Sequence, residues 1–317
     1  MELIRGLHNL RPRHHDCVAT IGNFDGVHLG HQAVLGQLAE KAAELCLPTT
    51  VITFEPQPQE YFSQGDFPPR LTRLREKLKA LQRYSVDRVL CLQFNQALAQ
   101  MEAETFIQRV LVDGLGIRYL AVGDDFCFGK GRRGDFSMLQ QAGQEHGFEV
   151  VNMRTYEVEG RRVSSTRIRD ALQAGNLSLA ERLLGRPYRM SGRVAHGDKL
   201  GRTIGFPTAN IFLHRKRPPV DGVFAVEMFG IEGEPVQGVA NVGTRPTVGG
   251  TRSLLEVHLF DFAAEIYGRH VHVDFLHRIR EERRFDSFDA LKAQIMQDAQ
   301  QAKDYFTAKA QSAQRND

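Results

Sequence analysis

Ten consecutive residues carry the first chemically suggestive pattern: Gly22-Asn23-Phe24-Asp25-Gly26-Val27-His28-Leu29-Gly30-His31. Glycines 22, 26 and 30 let backbone approach a ligand closely. Apolar spacing predicts a helix over 30–46, so the free amides at its start point at this loop and favour a phosphate there. His28 and His31 stand three apart at the helix start and share a face. Two imidazoles beside a phosphate can donate hydrogen bonds to the oxygens of a pentavalent phosphorus. Surface histidines at a helix cap, or a metal site, would have the same spacing. Placement directly after the first strand of an alternating strand–helix region favours the phosphate reading.

A second anion site is readable at Ser164-Ser165-Thr166-Arg167-Ile168-Arg169, where Ser165 or Thr166 can cap a helix and the two arginines add charge. The third pattern is the stretch GRVAHGDKLGRTIGFPTANI at 192–211. It is not a P-loop. Its glycines 197, 201 and 205 allow a loop that hugs phosphate, with Lys199 and Arg202 supplying charge. Thr208 and Asn210 are two apart, so on an extended segment both face one side, where their oxygens could hold Mg²⁺. GKGRRG at 129–134 matches a dinucleotide fingerprint only formally, because no strand directly precedes it; it reads as a basic loop or turn. His258, His270, His272 and His277 read as a solvated strand face rather than a metal cluster.

These residues need a scaffold. Strand patterns at 17–22, 49–54, 87–94, 118–123 and 148–153 alternate with helical ones at 30–46, 72–84, 102–113 and 135–146. Such alternation implies a parallel sheet covered on both faces, with ligands beyond the carboxyl ends of its strands. The loops after Ile21, Phe54 and Val122 then share one rim. A helical stretch at 164–184 breaks at Gly175-Asn176 and ends at Gly185-Arg186-Pro187, which suggests a boundary. Beyond it, strands at 188–195, 222–229, 236–241, 253–260 and 270–277 read as an antiparallel sandwich or barrel, closed by a helix at 287–306 and a frayed tail.

Length and composition bound the rest. The 317 residues suit two domains, with 42% hydrophobic and 25% charged residues and a net charge of +3. That charge suits anionic small molecules and is too weak to argue for a nucleic-acid surface; without tryptophan, no stacking platform for bases is evident. The four cysteines form no C-x-x-C pair and read as reduced core thiols of a cytoplasmic protein. No secretory leader or membrane-length apolar run is visible.

GNFDGVHLGH together with SSTRIR resembles the FMN adenylyltransferase module of bacterial FAD synthetases, within the nucleotidyltransferase superfamily that carries H-x-G-H. The resemblance implies that His28 and His31 bind ATP phosphates and the transition state. It implies ATP contacts from Gly22, Asn23, Phe24, Asp25 and Gly30, with Ser164, Ser165, Thr166, Arg167 and Arg169 closing over the triphosphate. VGDDF at 122–126 and TFEP at 53–56 are similar to the family's nucleotide and flavin loops, which implies flavin contacts from Asp125 and Phe126. Gln57 stands where many members carry histidine.

The stretch at 192–211 resembles riboflavin kinase, and the similarity continues through DGVF, GVANVGTRPT, LEVHLFDF and RIREERRFDSFDALKAQIMQD, the last at 278–298. It implies that Gly197, Lys199, Gly205, Pro207, Thr208 and Asn210 bind ATP, the last two with Mg²⁺. It also implies Glu256 as the catalytic carboxylate, and flavin contacts from Arg280 and Glu281. The fold expected is α/β plus β: a Rossmann-like nucleotidyltransferase sheet over 1–185, then an antiparallel β-barrel with a terminal helix over 186–317. The expected reactions are phosphorylation of riboflavin to FMN and adenylylation of FMN to FAD, with ATP as co-substrate. Small-molecule substrates are the expected partners, without nucleic acid or membrane; assembly is open, a weak homo-oligomer included. The rival readings are one activity alone, another nucleotide acceptor, or a flavin carrier or RNA-binding regulator built on a dead enzyme.

Overall fold

The structure, a computed structural model, describes residues 1–63, 67–123, 125–153, 155–196, 206–215, 217–231, 233–247 and 250–314. It divides into two compact units: Met1–Pro68 with Thr72–Ser164, and Pro69–Leu71 with Ser165–Asp317.

The first unit holds six parallel strands, β1 (Glu2–Arg5), β2 (Cys17–Ile21), β3 (Thr49–Glu55), β4 (Arg88–Gln93), β5 (Ile117–Gly123) and β6 (Glu149–Met153). Their order is β1-β4-β3-β2-β5-β6. Because β2 pairs in parallel with both β3 and β5, the carboxyl ends of these three strands do share a rim. Period-two alternation on β2 sends Cys17, Ala19 and Ile21 into one apolar cluster and Val18 into another, so helices cover both faces. These helices include α1 (Leu29–Leu45), α2 (Pro58–Phe62), α3 (Leu74–Gln82), α4 (Gln96–Ala99), α5 (Ala103–Phe106) and α6 (Phe136–His146). The helix expected over 102–113 is present, but after α5 it runs on as a π-helical turn, Ile107–Val112. Edge strand β1 and a two-residue hairpin, β7 (Glu157–Val158) with β8 (Arg161–Arg162), were not evident from the sequence; both are too short for a periodic signal.

The second unit begins with α7 (Ser165–Gln173) and α8 (Leu177–Leu184). Gly185, left-handed at φ 70°, ends α8 where a boundary was expected. Even so, α8 packs on the barrel, burying Leu177, Ala180, Leu183 and Leu184. Six antiparallel strands follow: β9 (Tyr188–Ala195), β10 (Ala209–Phe212), β11 (Gly222–Phe229), β12 (Val236–Thr247), β13 (Gly250–Leu259) and β14 (His270–Arg280). They close into a barrel in the order β10-β13-β12-β11-β14-β9. β12 and β13 run several residues beyond their expected limits, because their ladder continues from Gly238–Leu259 to Thr247–Gly250 through glycines and a proline that read as loop. The last helix, α9 (Phe288–Gln314), also outruns its expected end. Its Ala299, Ala302 and Phe306 pack on Val223, Ala225 and Val239 of the barrel wall.

Two of the four free cysteines, Cys17 and Cys91, are core thiols as expected; Cys46 and Cys127 are exposed. Burial pushes the Cys17 thiol up to about 11, so it stays protonated and unreactive at neutral pH.

Candidate functional site

In the first unit the loop after β2 is built tightly. Phe24 and Val27 have positive φ, 48° and 45°. For a β-branched residue such as Val27 that is strained, costing about 1–3 kcal/mol, and such strain concentrates at functional loops. Asp25 is buried and accepts hydrogen bonds from the Thr72 backbone (2.9 Å) and hydroxyl (3.2 Å), while Gly26 N–H donates to that hydroxyl at 2.9 Å. Asp25 therefore pins the loop to the residues leading into α3, and Thr72 is a partner that sequence reasoning missed.

His28 is the N-cap of α1, its Nδ1 accepting the His31 backbone N–H at 3.3 Å. That acceptor role leaves the proton on Nε2. The two rings stack with centroids 3.6 Å apart, and Phe24 lies 4.9 Å from His31. A Cβ on Gly30 would sit 3.3 Å from the His28 ring, so the absent side chain lets that ring lie over the first turn. Burial, followed by His28 and Lys77, holds His31 well below the usual imidazole range, so it is neutral at pH 7. Lys77 of α3 is fully buried, with Nζ 3.5 Å from Thr53 Oγ1. In the sequence it reads as one more charge on a basic helix. Among the described residues, Asn23 Oδ1 and His31 Nδ1 are buried without hydrogen-bond partners. Buried polar atoms are nearly always paired, which makes these two candidates for polar groups of a ligand.

Two further sets flank the same unit. Phe54, Tyr61, Phe62 and Phe94 form an edge-on cluster at the end of β3, and Phe62 keeps 64% exposure. Phe126 stacks on Phe128 at 5.6 Å, next to Phe106. Asp125 pairs with Arg162 at 2.9 Å, and that bond holds its carboxyl below the usual range. The GKGRRG segment is a turn, not a nucleotide fingerprint. A Cβ on Gly129 would meet Ala103 at 2.8 Å, one on Gly134 would meet the Phe128 ring at 2.7 Å, and Lys130 pairs with Glu102.

In the second unit a single transverse row crosses the barrel wall. Asn210 lies opposite Glu256, Glu256 opposite Asn241, Asn241 opposite Val223, and Val223 opposite Arg280. Directly opposed residues of antiparallel strands share a face. Glu256, Asn241, Val223 and Arg280 accordingly line one cavity of about 400 Å³, roofed by Phe288, Leu291 and Ile295 of α9. A second cavity of about 440 Å³ lies between Val194, Ala209, Val257 and the 262–267 segment. Thr208 lines both. The Pro207 carbonyl accepts from His258 Nδ1 at 2.9 Å.

Asn210 is buried and its Nδ2 donates to the Thr208 carbonyl at 3.5 Å, which leaves its amide oxygen available. That amide oxygen and the Thr208 hydroxyl are hard-oxygen donors of the kind Mg²⁺ takes. Arg280 is held by Asp298 through Nε (3.0 Å) and Nη2 (2.8 Å), so it enters the cavity wall already paired. Glu281 does not join it: its side chain is exposed and lies 3.7 Å from Arg278. Ser165 opens α7, Arg167 is half-buried, and Arg169 Nε donates to the Pro69 carbonyl at 2.7 Å within the second unit. Thr166 is exposed and Ser164 closes the first unit. Gly197, Lys199 and Gly205 lie outside the described residues. Of the strand histidines, His272 contacts Ser191 Oγ at 2.7 Å and His277 stacks on Tyr305.

A parallel-sheet unit with a histidine pair at a helix start, joined to a closed barrel with a carboxylate beside hard-oxygen donors, defines a two-module nucleotide-dependent transferase. The FAD synthetase family profile matches residues 10–167 and the riboflavin kinase profile residues 184–306. A bifunctional riboflavin kinase/FMN adenylyltransferase of Escherichia coli (strain K12) is 54% identical over 307 residues, 96% of this chain and 98% of that protein. One of Haemophilus influenzae is 53% identical over 97% of this chain and its own full length. A crystal structure described as a macrolide-efflux protein from Streptococcus pneumoniae is 32% identical, with a TM-score of 0.80 over 94% of this chain and 97% of that one. The chain belongs to the bifunctional riboflavin kinase/FMN adenylyltransferase family, with the FAD synthetase module first and the riboflavin kinase module second.

Proposed function

We propose that riboflavin phosphorylation takes place on the Asn210–Glu256 row and FMN adenylylation on the His28–His31 loop. The observation that carries the first assignment is Thr208, which lines both barrel cavities. Two substrates that must exchange a phosphoryl group need adjoining pockets, and the residue common to both marks where they meet. Riboflavin occupies the cavity beside Glu256, and the nucleotide the cavity beside Ala209. The Glu256 carboxylate takes the proton from the 5′-hydroxyl as its oxygen bonds to the γ-phosphorus and the bond to ADP breaks. Thr208 and Asn210 are the residues that would hold Mg²⁺, which when bound neutralises charge on the phosphate oxygens. Phe288, Leu291 and Ile295 keep water from the acceptor hydroxyl.

In the first module an FMN phosphate oxygen attacks the α-phosphorus of ATP, and pyrophosphate leaves. The two imidazoles donate hydrogen bonds to phosphate oxygens as charge gathers on them, and the amides at the start of α1 add their dipoles. The open aromatic cluster of Phe54, Tyr61, Phe62 and Phe94 offers a face for the flavin ring. The modules are assigned to 1–185 and 186–317, and the protein to the cytoplasm; among the described residues no helix is long and apolar enough to cross a membrane.

A time course with riboflavin, ATP and Mg²⁺, flavins being separated by chromatography, tests the reading. FMN should appear first and FAD follow. FMN that is not converted even when supplied directly would remove the adenylylation assignment. Tight flavin binding without turnover would replace both with a carrier.

A further inference from the structure

Gln57 follows β3 by two residues, at the sheet edge where ligands of parallel sheets bind. Its side chain is 4% exposed, and its Nε2 has no hydrogen-bond partner among the described residues. The backbone around it is fixed: its N–H donates to Glu60 Oε2 at 3.0 Å, and its carbonyl accepts from Glu60 N at 2.9 Å and Tyr61 N at 3.2 Å. The amide is therefore buried on a residue whose backbone is anchored. A buried donor left unpaired destabilises a protein, and such groups persist where something else completes them.

The chain on either side says what completes it. Phe54 precedes Gln57, and Tyr61 and Phe62 follow it; with Phe94 these rings form one aromatic cluster with Phe62 and Tyr61 still open at 64% and 37% exposure. A planar heteroaromatic ligand that stacks there brings its ring carbonyls and its phosphate chain alongside the rim. We propose that Gln57 is a specificity-determining residue for adenylylation, its buried amide donating a hydrogen bond to an oxygen of FMN. The proposal rests on the assignment of the flavin to this aromatic cluster. It distinguishes FMN from ATP as the recipient, and it gives the amide a cost in the empty enzyme that binding removes.

Gln57→Met keeps the length and volume of the side chain and deletes the donor. In the full-length protein its KM for FMN in FAD formation should rise about ten- to a hundredfold, as for loss of one hydrogen bond to a polar or charged acceptor. The KM for ATP should stay within about twofold. The thermal midpoint of the ligand-free first module should rise, because an unpaired buried donor has gone, while the upward shift produced by added FMN should shrink. Gln57→His, which restores a ring N–H, should recover part of the FMN affinity. Riboflavin phosphorylation by the same preparation reports that the second module is intact. An unchanged KM for FMN, or a rise confined to ATP, would overturn the proposal. So would a lower midpoint with both KM values unchanged, which would make the amide structural. Wild-type protein that forms no FAD would remove the underlying assignment instead, a result separable from any behaviour of the variant.

Discussion

Asn210 and Glu256 face each other directly across the β10–β13 ladder, so an amide oxygen and a carboxylate project from one strip of barrel wall. The two groups have different tasks there, and one substitution separates them. Glu256→Gln keeps the shape and removes the base. Riboflavin phosphorylation should fall about 10²- to 10⁴-fold in kcat, while FAD formation from supplied FMN continues at the wild-type rate. Chromatography of the two reactions run side by side measures both. Loss of FAD formation as well would mean that the two sites are not independent.

The converse experiment is at His28. Its Nδ1 accepts the His31 backbone N–H, which fixes the ring over the first turn of α1. His28→Ala removes one donor to the reacting phosphate and should lower FAD formation about 10²- to 10³-fold, with FMN formation unaffected. Initial rates of pyrophosphate release with FMN as acceptor provide the measurement.

Because His31 is held below the usual imidazole value of 6.5, the folded first module binds fewer protons than its unfolded chain in the window below about 6.5. Stability is therefore full above that value and falls as pH drops toward the depressed pKa. Thermal midpoints of that module between pH 7.5 and 5 should decline, and His31→Asn should flatten the decline. An identical slope in the variant would assign the pH dependence to other groups.

Asp298 is 3% exposed and is the anchor through which α9 holds Arg280, with Gln294 donating to the same carboxylate at 2.7 Å. Asp298→Ala leaves a mostly buried guanidinium without its counter-charge. The cost should be about 3 kcal/mol, the low end for such pairs because Arg280 retains 19% side-chain exposure. Denaturant unfolding of the second module measures it. The KM for riboflavin should rise with it, since the same helix supplies the roof of the cavity.

The geometry of the Gly22–His31 loop was legible because it is local: ten consecutive residues hold both imidazoles, the helix start and the glycines that make room for them. What was not legible there comes from elsewhere in the chain. Thr72, just before α3, holds the loop by hydrogen bonds, Lys77 of α3 acts on His31 through its charge, and a lysine on an amphipathic helix gives no sign that it is buried. On the barrel, Asn241 was missed because its place beside Glu256 is set by strand register, which single-sequence periodicity does not contain. Arg280 lines the cavity beside Glu256 and Glu281 does not, for one reason. Neighbouring residues leaving a strand point to opposite sides, and a motif read as a string does not separate them.

The barrel closes only when β14 pairs with β9, and the cavity beside Glu256 is complete only when α9 lies over it. A ribosome releases the whole six-stranded sheet before it makes either element. At about 5–20 residues per second, the catalyst of the second reaction can fold seconds ahead of the catalyst of the first. During synthesis, then, each nascent molecule has an interval in which it can consume FMN but cannot yet make it, and must draw on the output of finished copies.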